Sequence, residues 1–516
     1  KGAFFLCEFP VQKVTAFKTE PKGAYFKMVD EHIFLFGMMA SAINFGPDGS
    51  LYVANWDGKW QPNELGSIWV VDDPAIRKSE QRKHVAKLLR SDFGNHTNSF
   101  LVYLLAHADQ RIRLEAQFEL ARRDRFDEFL GLATNPNGDR LARVHAMWGL
   151  GQLDADQQRD KRLAKRLPFA DNDAEIRAQA AKLAGTRVLT SAAPRLMDLL
   201  HDKSARVRFH AAMALGQAGS PESTSNLIAL LERNNDKDAY IRHAAIMGLT
   251  GSAYPEQLTA LSSHGSAAVR VAAVAALRRL RHTGAEKFLN DENEWVFREA
   301  VSAIHDDESI LEALPSVANL LPGSDRESEA ITRRLLSANL RVGRPENAQR
   351  LIDYALDKTK PSTMRAEALL CLRDWNRRPF VDRVEGRVRT LSKRDDGLAK
   401  RLVEANLQEL FEAANGEVLA ELIRLCERLQ LNLGAGPLLI IAKSESQELA
   451  ARVQAVQSIA GKENITQPLV DLTRSRHSQI QVAAVQKLAE TAPEQFAEKL
   501  SGNWDKLSEP AQQAFI

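Results

Sequence analysis

The chain has 516 residues, past the roughly 250–300 at which a single hydrophobic core stops growing, so several domains or an elongated repeat are expected. Lys and Arg number 69 against 67 Asp and Glu, a net charge of +2 that excludes a polybasic nucleic-acid coat and an acidic disordered tail. The 44% apolar and 26% charged content reads as a folded soluble chain. Cys7, Cys371 and Cys426 cannot build a disulfide framework, and none lies in a Cys-x-x-Cys pair. A zinc ribbon, a thioredoxin-type motif and an attached c-type haem are thereby excluded. No run of about 18 uncharged apolar residues occurs, so no membrane-spanning helix is expected. The chain starts at Lys1 and shows no signal peptide, which suggests a processed chain or a piece of a longer one.

Residues 1–74 read as strands. Val14-Thr15-Ala16-Phe17 and Ala24-Tyr25-Phe26-Lys27-Met28-Val29 are short β-branched and aromatic runs. Ala42-Ile43-Asn44-Phe45 and Leu51-Tyr52-Val53-Ala54-Asn55-Trp56 flank Gly46-Pro47-Asp48-Gly49. There Pro47 presets φ, and Asp48-Gly49 tolerates the positive φ of a reversing chain. Ser67-Ile68-Trp69-Val70-Val71 is a last strand, Pro74 ends this grammar, and residues 75–94 read as a linker.

From about residue 95 the period becomes helical, and the chain begins to resemble itself. Asp109-Gln-Arg-Ile-Arg113 is echoed by segments ending in Arg143, Arg177, Arg208, Arg242, Arg270 and Arg298, spaced 30, 34, 31, 34, 28 and 28 residues apart. Four residues before each arginine stands Asp109, Asp139, Asp173, Ser204, Asp238, Ser266 or Glu294, at the place of a helix N-cap. The acids are also i,i+4 to the arginine, a weakly favourable pair. Ile or Val and later small residues form the buried stripe, and the alanines let neighbouring helix pairs approach closely. Met364-Arg365 and Ala451-Arg452 recover the register later, and Gln481 replaces the arginine in one more copy. Residues 373–396 read as a modified repeat with a long charged loop.

Helix, short Asp/Asn loop, helix, every 28–34 residues, resembles the HEAT repeat. The resemblance implies a mostly α fold: a HEAT-repeat α-solenoid, a right-handed superhelix of armadillo type, over residues 95–516. It would hold roughly 12 helical pairs, clearest over 95–305 and irregular over 306–440. The small antiparallel β segment before it, through Phe45-Gly46-Pro47-Asp48-Gly49-Ser50-Leu51-Tyr52-Val53 and Gly66-Ser67-Ile68-Trp69, resembles the last blade of a β-propeller of the sorbosone/glucose dehydrogenase type. Propeller followed by HEAT array, with Leu105-Ala-His-Ala-Asp109 and His145-Ala-Met-Trp148-Gly-Leu-Gly151 at the join, is similar to the planctomycete-type membrane-bound dehydrogenase-like proteins. That resemblance implies a bacterial, exported or periplasmic parent with a quinone and a c-type haem, neither of them held by this chain. It implies for this chain the role of a non-catalytic scaffold, docking a protein partner or other domains of the same polypeptide. The alternative it leaves is a fragment of a sugar or alcohol dehydrogenase that passes electrons to haem. The sequence departs from the family at Ala42 and Asn44, where acids are usual, and offers one blade where a propeller needs about 4–8. The final helix, opened by Ser508-Glu509-Pro510, lacks the polar cap expected of a solenoid end, so the natural protein is expected to continue.

The catalytic set is therefore unknown. Asn55, Trp56, Asp57 and Trp60 are the candidate binding loop, since polar groups flanked by tryptophans take sugars or ions; the competing reading is an aromatic plug closing the blade. His145 and His210 share a register two repeats apart, roughly 20 Å at 8–10 Å per layer, too far for one metal, and no His-Glu pair occurs, so no metal is expected. The structural ladder comprises Asp109, Arg113, Asp139, Arg143, Asp173, Arg177, Arg208, Asp238, Arg242, Arg270 and Arg298, read as ties between repeats rather than an anion stripe. Arg373, Trp375, Arg377, Arg378, Phe380, Arg387, Arg389, Lys393 and Arg394 mix bases with aromatics as nucleic-acid binders do, but interleaved acids offset them, and nucleic acid is disfavoured. Cys371 and Cys426 lie in apolar helical stretches and read as core residues.

Overall fold

A computed structural model describes residues 2–57, 65–307, 310–323, 328–377, 379–395, 397–431, 433–459, 465–502 and 504–514. The chain divides into two compact units, Lys1–Leu280 and Arg281–Ile516.

The first unit opens with six strands: β1 (Phe4–Glu8), β2 (Lys13–Lys22), β3 (Tyr25–Phe36), β4 (Ala40–Phe45), β5 (Leu51–Trp56) and β6 (Gly66–Val71). They pair antiparallel in two three-stranded sheets, β1-β2-β3 and β4-β5-β6. A propeller blade is one four-stranded sheet, so the expected blade is corrected to a pair of small sheets. Their shared core is modest: Val14, Ala40 and Val53 are buried, with Phe5, Phe34, Leu35 and Met38 against them. The turn between β4 and β5 forms where Gly-Pro-Asp-Gly predicts it. Gly49 takes φ +79°, the Gly46 amide bonds Ser50 O at 2.8 Å, and the Asp48 carboxylate accepts the Ser50 amide at 3.1 Å.

Residues 75–94 are not a bare linker. They contain the helix Glu80–Arg90, N-capped by Ser79 and burying only Val85 and Leu88. Its Arg82 clamps the β4–β5 turn, donating to Asp48 O at 2.9 and 2.7 Å and pairing with Asp72 at 2.6 Å. Six helical pairs follow, from Asn98–Leu104 with Gln110–Arg122 to Pro255–Ala260 with Ala267–Leu280. Their second helices carry the small residues, and the close approach those residues permit is literal. A Cβ on Gly251 would lie 2.0 Å from Gly216 O, and one on Gly216 would lie 2.5 Å from Met247 O.

The second unit continues the pattern with Glu294–His305, Leu314–Ala318 with Glu329–Val342, and Pro345–Leu356 with Ser362–Arg373. The charged stretch that follows is a folded element: β7 (Phe380–Val381) pairs with β8 (Val388–Arg389) in a short hairpin. Helices from Leu398–Ala405 to Glu509–Gln513 complete it. A core of Leu419, Ile423, Leu438, Ile480 and Leu488 links the later repeats.

Candidate functional site

The arginine column is a set of loop clamps. Nη1 of Arg113 donates to His107 O and Ala108 O at 2.7 and 3.1 Å. Arg177, Arg208 and Arg270 repeat the geometry on the carbonyls six and five residues back, at 2.7 and 3.1–3.2 Å. The expected partner four residues back is engaged elsewhere. Asp109, Asp139, Asp173 and Asp238 accept amides of their own helices. Only Arg298, with Glu294 at 3.6 Å, shows the i,i+4 pair among the ladder's described contacts. The reason is directional: helical side chains lean toward the N-terminus, so an arginine in the first turn reaches back over the loop, while the cap carboxylate faces forward onto the amides.

Several ladder residues also join neighbouring repeats. Arg143 pairs with Asp171. Arg177 forks onto Asp202 at 2.7 and 2.9 Å. Burial pushes the Asp202 carboxyl up, but Arg177 and the Ser204 amide outweigh it and hold it below the usual range. Arg242 pairs with Asp236.

His145 is structural. Its Nδ1 faces Gln117 Oε1 at 2.8 Å, and its Nε2 accepts from Arg113 Nε at 3.0 Å. Burial first and the Arg113 charge second lower its pKa to about 4. His210 is lowered to about 4 as well, chiefly by burial. Cys371 and Cys426 are buried; burial raises the Cys371 thiol strongly and the Cys426 thiol to about 12, so neither is a thiolate near neutrality.

In the candidate loop, Asn55 Nδ2 donates to the Asp57 carboxylate and reaches Ser67 Oγ at 3.4 Å, while Asn55 Oδ1 is buried without a partner. The Trp56 ring lies edge-on to Phe9 at 6.4 Å. Trp60 lies outside the described residues.

Two arrangements escaped the sequence reading. The first is a group of His305, Asp306 and Glu385, whose ligand atoms lie within 4.8 Å of one another. Its carboxylates are already neutralised. Arg334 grips Asp306 at 2.9 and 2.8 Å, Arg389 and the Asp307 amide hold Glu385, and Arg341 donates to His305 O at 2.7 Å. A cation would have to displace these arginines, so the donor set fits a lock better than a metal site. The lock fastens the β7–β8 hairpin to the end of the helix Glu294–His305, and buried Asp382 adds a bond to Arg389 at 2.9 Å. Other basic residues of this stretch are committed too: Arg383 to Glu367 at 2.6 Å, Arg373 to Glu421 at 2.9 Å, Arg387 to Asp307 at 3.1 Å, while Arg378 lies outside the described residues. Arg394 lies over the Trp375 ring at 4.7 Å. This is not the free basic and aromatic surface a nucleic acid needs.

The second is a docked hairpin. The tip between β2 and β3 lies on the N-termini of two repeat helices. Ala24 N donates to Asp238 Oδ2 at 2.8 Å across 214 residues of sequence. Tyr25 stacks on Tyr240 with centroids 4.6 Å apart, and Arg206 sits 5.3 Å over Phe26. Gly23 takes φ +61°, and a Cβ there would strike Asp238 Oδ2 at 2.3 Å. Beneath the tip lies a cavity of about 630 Å³.

Residues 161–250 match the family model described as HEAT repeats. The fold is a mostly helical HEAT-repeat solenoid with a small antiparallel β part at its N-terminal end. No curated protein sequence matches the chain. Among solved structures it is similar to Kap121p bound to Nup53p, with 14% identity, a TM-score of 0.41, and coverage of 84% of this chain and 49% of that one. Importin beta in an ammonium sulfate condition gives 12% identity, a TM-score of 0.36, and coverage of 82% and 62%. The chain thus spans about half the length of the first of these.

Proposed function

We propose that the chain is a non-catalytic HEAT-repeat scaffold that holds a protein partner or another domain of its own polypeptide. The observation that carries this reading is the outer strand β6. Ile68, Trp69 and Val70 are 73%, 54% and 54% exposed on a strand that, among the described residues, pairs only with β5. An apolar strand with an open edge is a template for further β-pairing or for an apolar partner. Most of the ladder charges, by contrast, are committed within the repeats. The parent we propose is an exported dehydrogenase-like protein whose quinone and c-type haem lie outside this chain, with additional β-structure meeting β6.

Co-expression with the polypeptide encoded by the flanking parts of its gene is the test. Co-elution on size exclusion, lost in Ile68→Lys/Trp69→Lys, is the expected result. Separate elution of the two parts would reject the scaffold. Oxidation of a sugar or alcohol by the isolated chain with added quinone would reject the non-catalytic assignment. A full reading frame without a Cys-x-x-Cys-His motif would remove the haem-bearing parent.

A further inference from the structure

The cavity beneath the β2–β3 tip is independent of the scaffold reading. Its volume of about 630 Å³ falls in the range of roughly 300–1,000 Å³ typical of small-molecule sites. Its charges are unequally committed. The two lining carboxylates are satisfied: Asp202 by the Arg177 fork and the Ser204 amide, Asp238 by its own helix amides and Ala24.

Four lining cations, Lys22, Arg208, Arg233 and Lys237, make no close ion pair among the described residues, though the Arg208 charge also acts on Asp202. Arg208 holds two loop carbonyls through Nη1 alone. Arg233 reaches Leu200 O at 3.2 Å, and Lys22 lies 5.8 Å from the Tyr25 ring. They come from four places in the chain: the end of β2, the helix Ala205–Ala218, the last turn of the helix Thr224–Asn234, and the loop after it. Leu200, Leu230 and Ile241 form the buried floor beneath the charged groups.

Several cations gathered around one space repel one another and favour a compact multivalent anion between them. Guanidinium groups match the oxygens of a phosphate by their planar fork, and ammonium groups add point charges. We infer that this cavity binds a phosphomonoester, its dianion held by Lys22, Arg208, Arg233 and Lys237. The phosphate belongs either to a free organophosphate or to a phosphorylated side chain of a partner protein.

Titration calorimetry on the full chain tests this with phenyl phosphate as the probe. Saturable binding is expected, weakened about tenfold or more for each cation removed in Lys237→Gln and in Arg233→Gln/Lys237→Gln. Lys22→Gln, on the hairpin side and away from the repeat helices, gives a second variant whose folding is not at stake. Lys161→Gln, outside the cavity, should bind as the unmodified chain does, and circular dichroism checks that every variant is folded. No binding tighter than about 10 mM, equal binding by benzoate, or undiminished binding by folded Lys22→Gln and Arg233→Gln/Lys237→Gln would overturn the assignment. A peptide with one phosphoserine identifies the source. Binding at least tenfold tighter than phenyl phosphate, absent without the phosphate, assigns the site to a partner chain; weaker binding assigns it to a free organophosphate.

Discussion

An arginine in the first turn of a helix leans back over the loop before it, and most of the ladder follows from that lean. The position was visible in the sequence because the N-cap acid and the arginine recur together. The partners were not, because backbone carbonyls carry no side-chain signature and the nearest acid was the obvious candidate. Arg208 shows what the clamp contributes. Its Nη1 satisfies Asp202 O and Lys203 O in the loop between two helices. Arg208→Ala should destabilise the chain by about 1–3 kcal/mol, measured by urea unfolding; a loss indistinguishable from that of Arg298→Ala, whose arginine is largely exposed, would mean the loop bonds contribute nothing. His145 makes a separate prediction at this scale. Its folded pKa of about 4 lies below the ordinary 6.5. Neutral His145 therefore supports the fold fully above about pH 6.5. That support is lost as pH falls toward about 4, because the unfolded chain takes up the proton first. The loss amounts to about 3 kcal/mol. Denaturation at pH 7.5, 6 and 5 should show the stability gap between wild type and His145→Gln shrinking as pH falls. Parallel curves would show that His145 titrates normally in the folded chain.

Elements were legible where their periodicity was long and their turns were marked. β4 to β6 lie where alternation and the Gly-Pro-Asp-Gly turn put them, while β2 and β3 run well beyond their expected stretches. The second helices begin at their predicted caps from Asp109 to Ser266, whereas Asn293 rather than Glu294 caps the next. Glu80–Arg90 was hidden because its two buried residues give hardly any apolar stripe. The β7–β8 hairpin was hidden because its strands are two residues long and are held by arginine bonds to distant carboxylates. The division of the six N-terminal strands into two sheets depends on pairing, which period-2 alternation leaves open. The glycines of the stacked helices make a direct test of close approach. Replacing Gly251 by Ala adds a methyl where Gly216 O already stands. Overpacking costs about 1–3 kcal/mol, while the helix gains about 1 kcal/mol. Net destabilisation is expected in thermal unfolding, whereas Gly131→Ala, with open space around it, should stabilise. If both substitutions stabilise, the helices are farther apart than the structure has them. The docked tip is tested by Tyr240→Ala, which removes a ring pair worth about 0.5–1.5 kcal/mol. Hydrogen exchange should quicken at residues 22–28 with little change in the repeats, and unchanged exchange at the tip would remove the stacking as its anchor.

At the scale of the molecule, the near-zero net charge reflects construction. Acids cap helices, arginines clamp loops, and selected pairs such as Arg177–Asp202 join one repeat to the next, so charge is used locally all along the chain. Repeats built in this way depend on their neighbours rather than on one central core. Lys1–Leu280 contains the two small sheets, the clamping helix Glu80–Arg90 and six helical pairs. The loop and inter-repeat partners described for Arg113, Arg143, Arg177 and Arg208 lie within those residues. A fragment ending at Leu280 should therefore fold without the remainder, with helical circular dichroism and a cooperative transition. The helix Ala267–Leu280 should be the first to fray, and hydrogen exchange on the fragment would locate that fraying. A fragment without cooperative unfolding would show that the first unit needs residues beyond Leu280, and that the local use of charge and small residues is insufficient to hold even six pairs together.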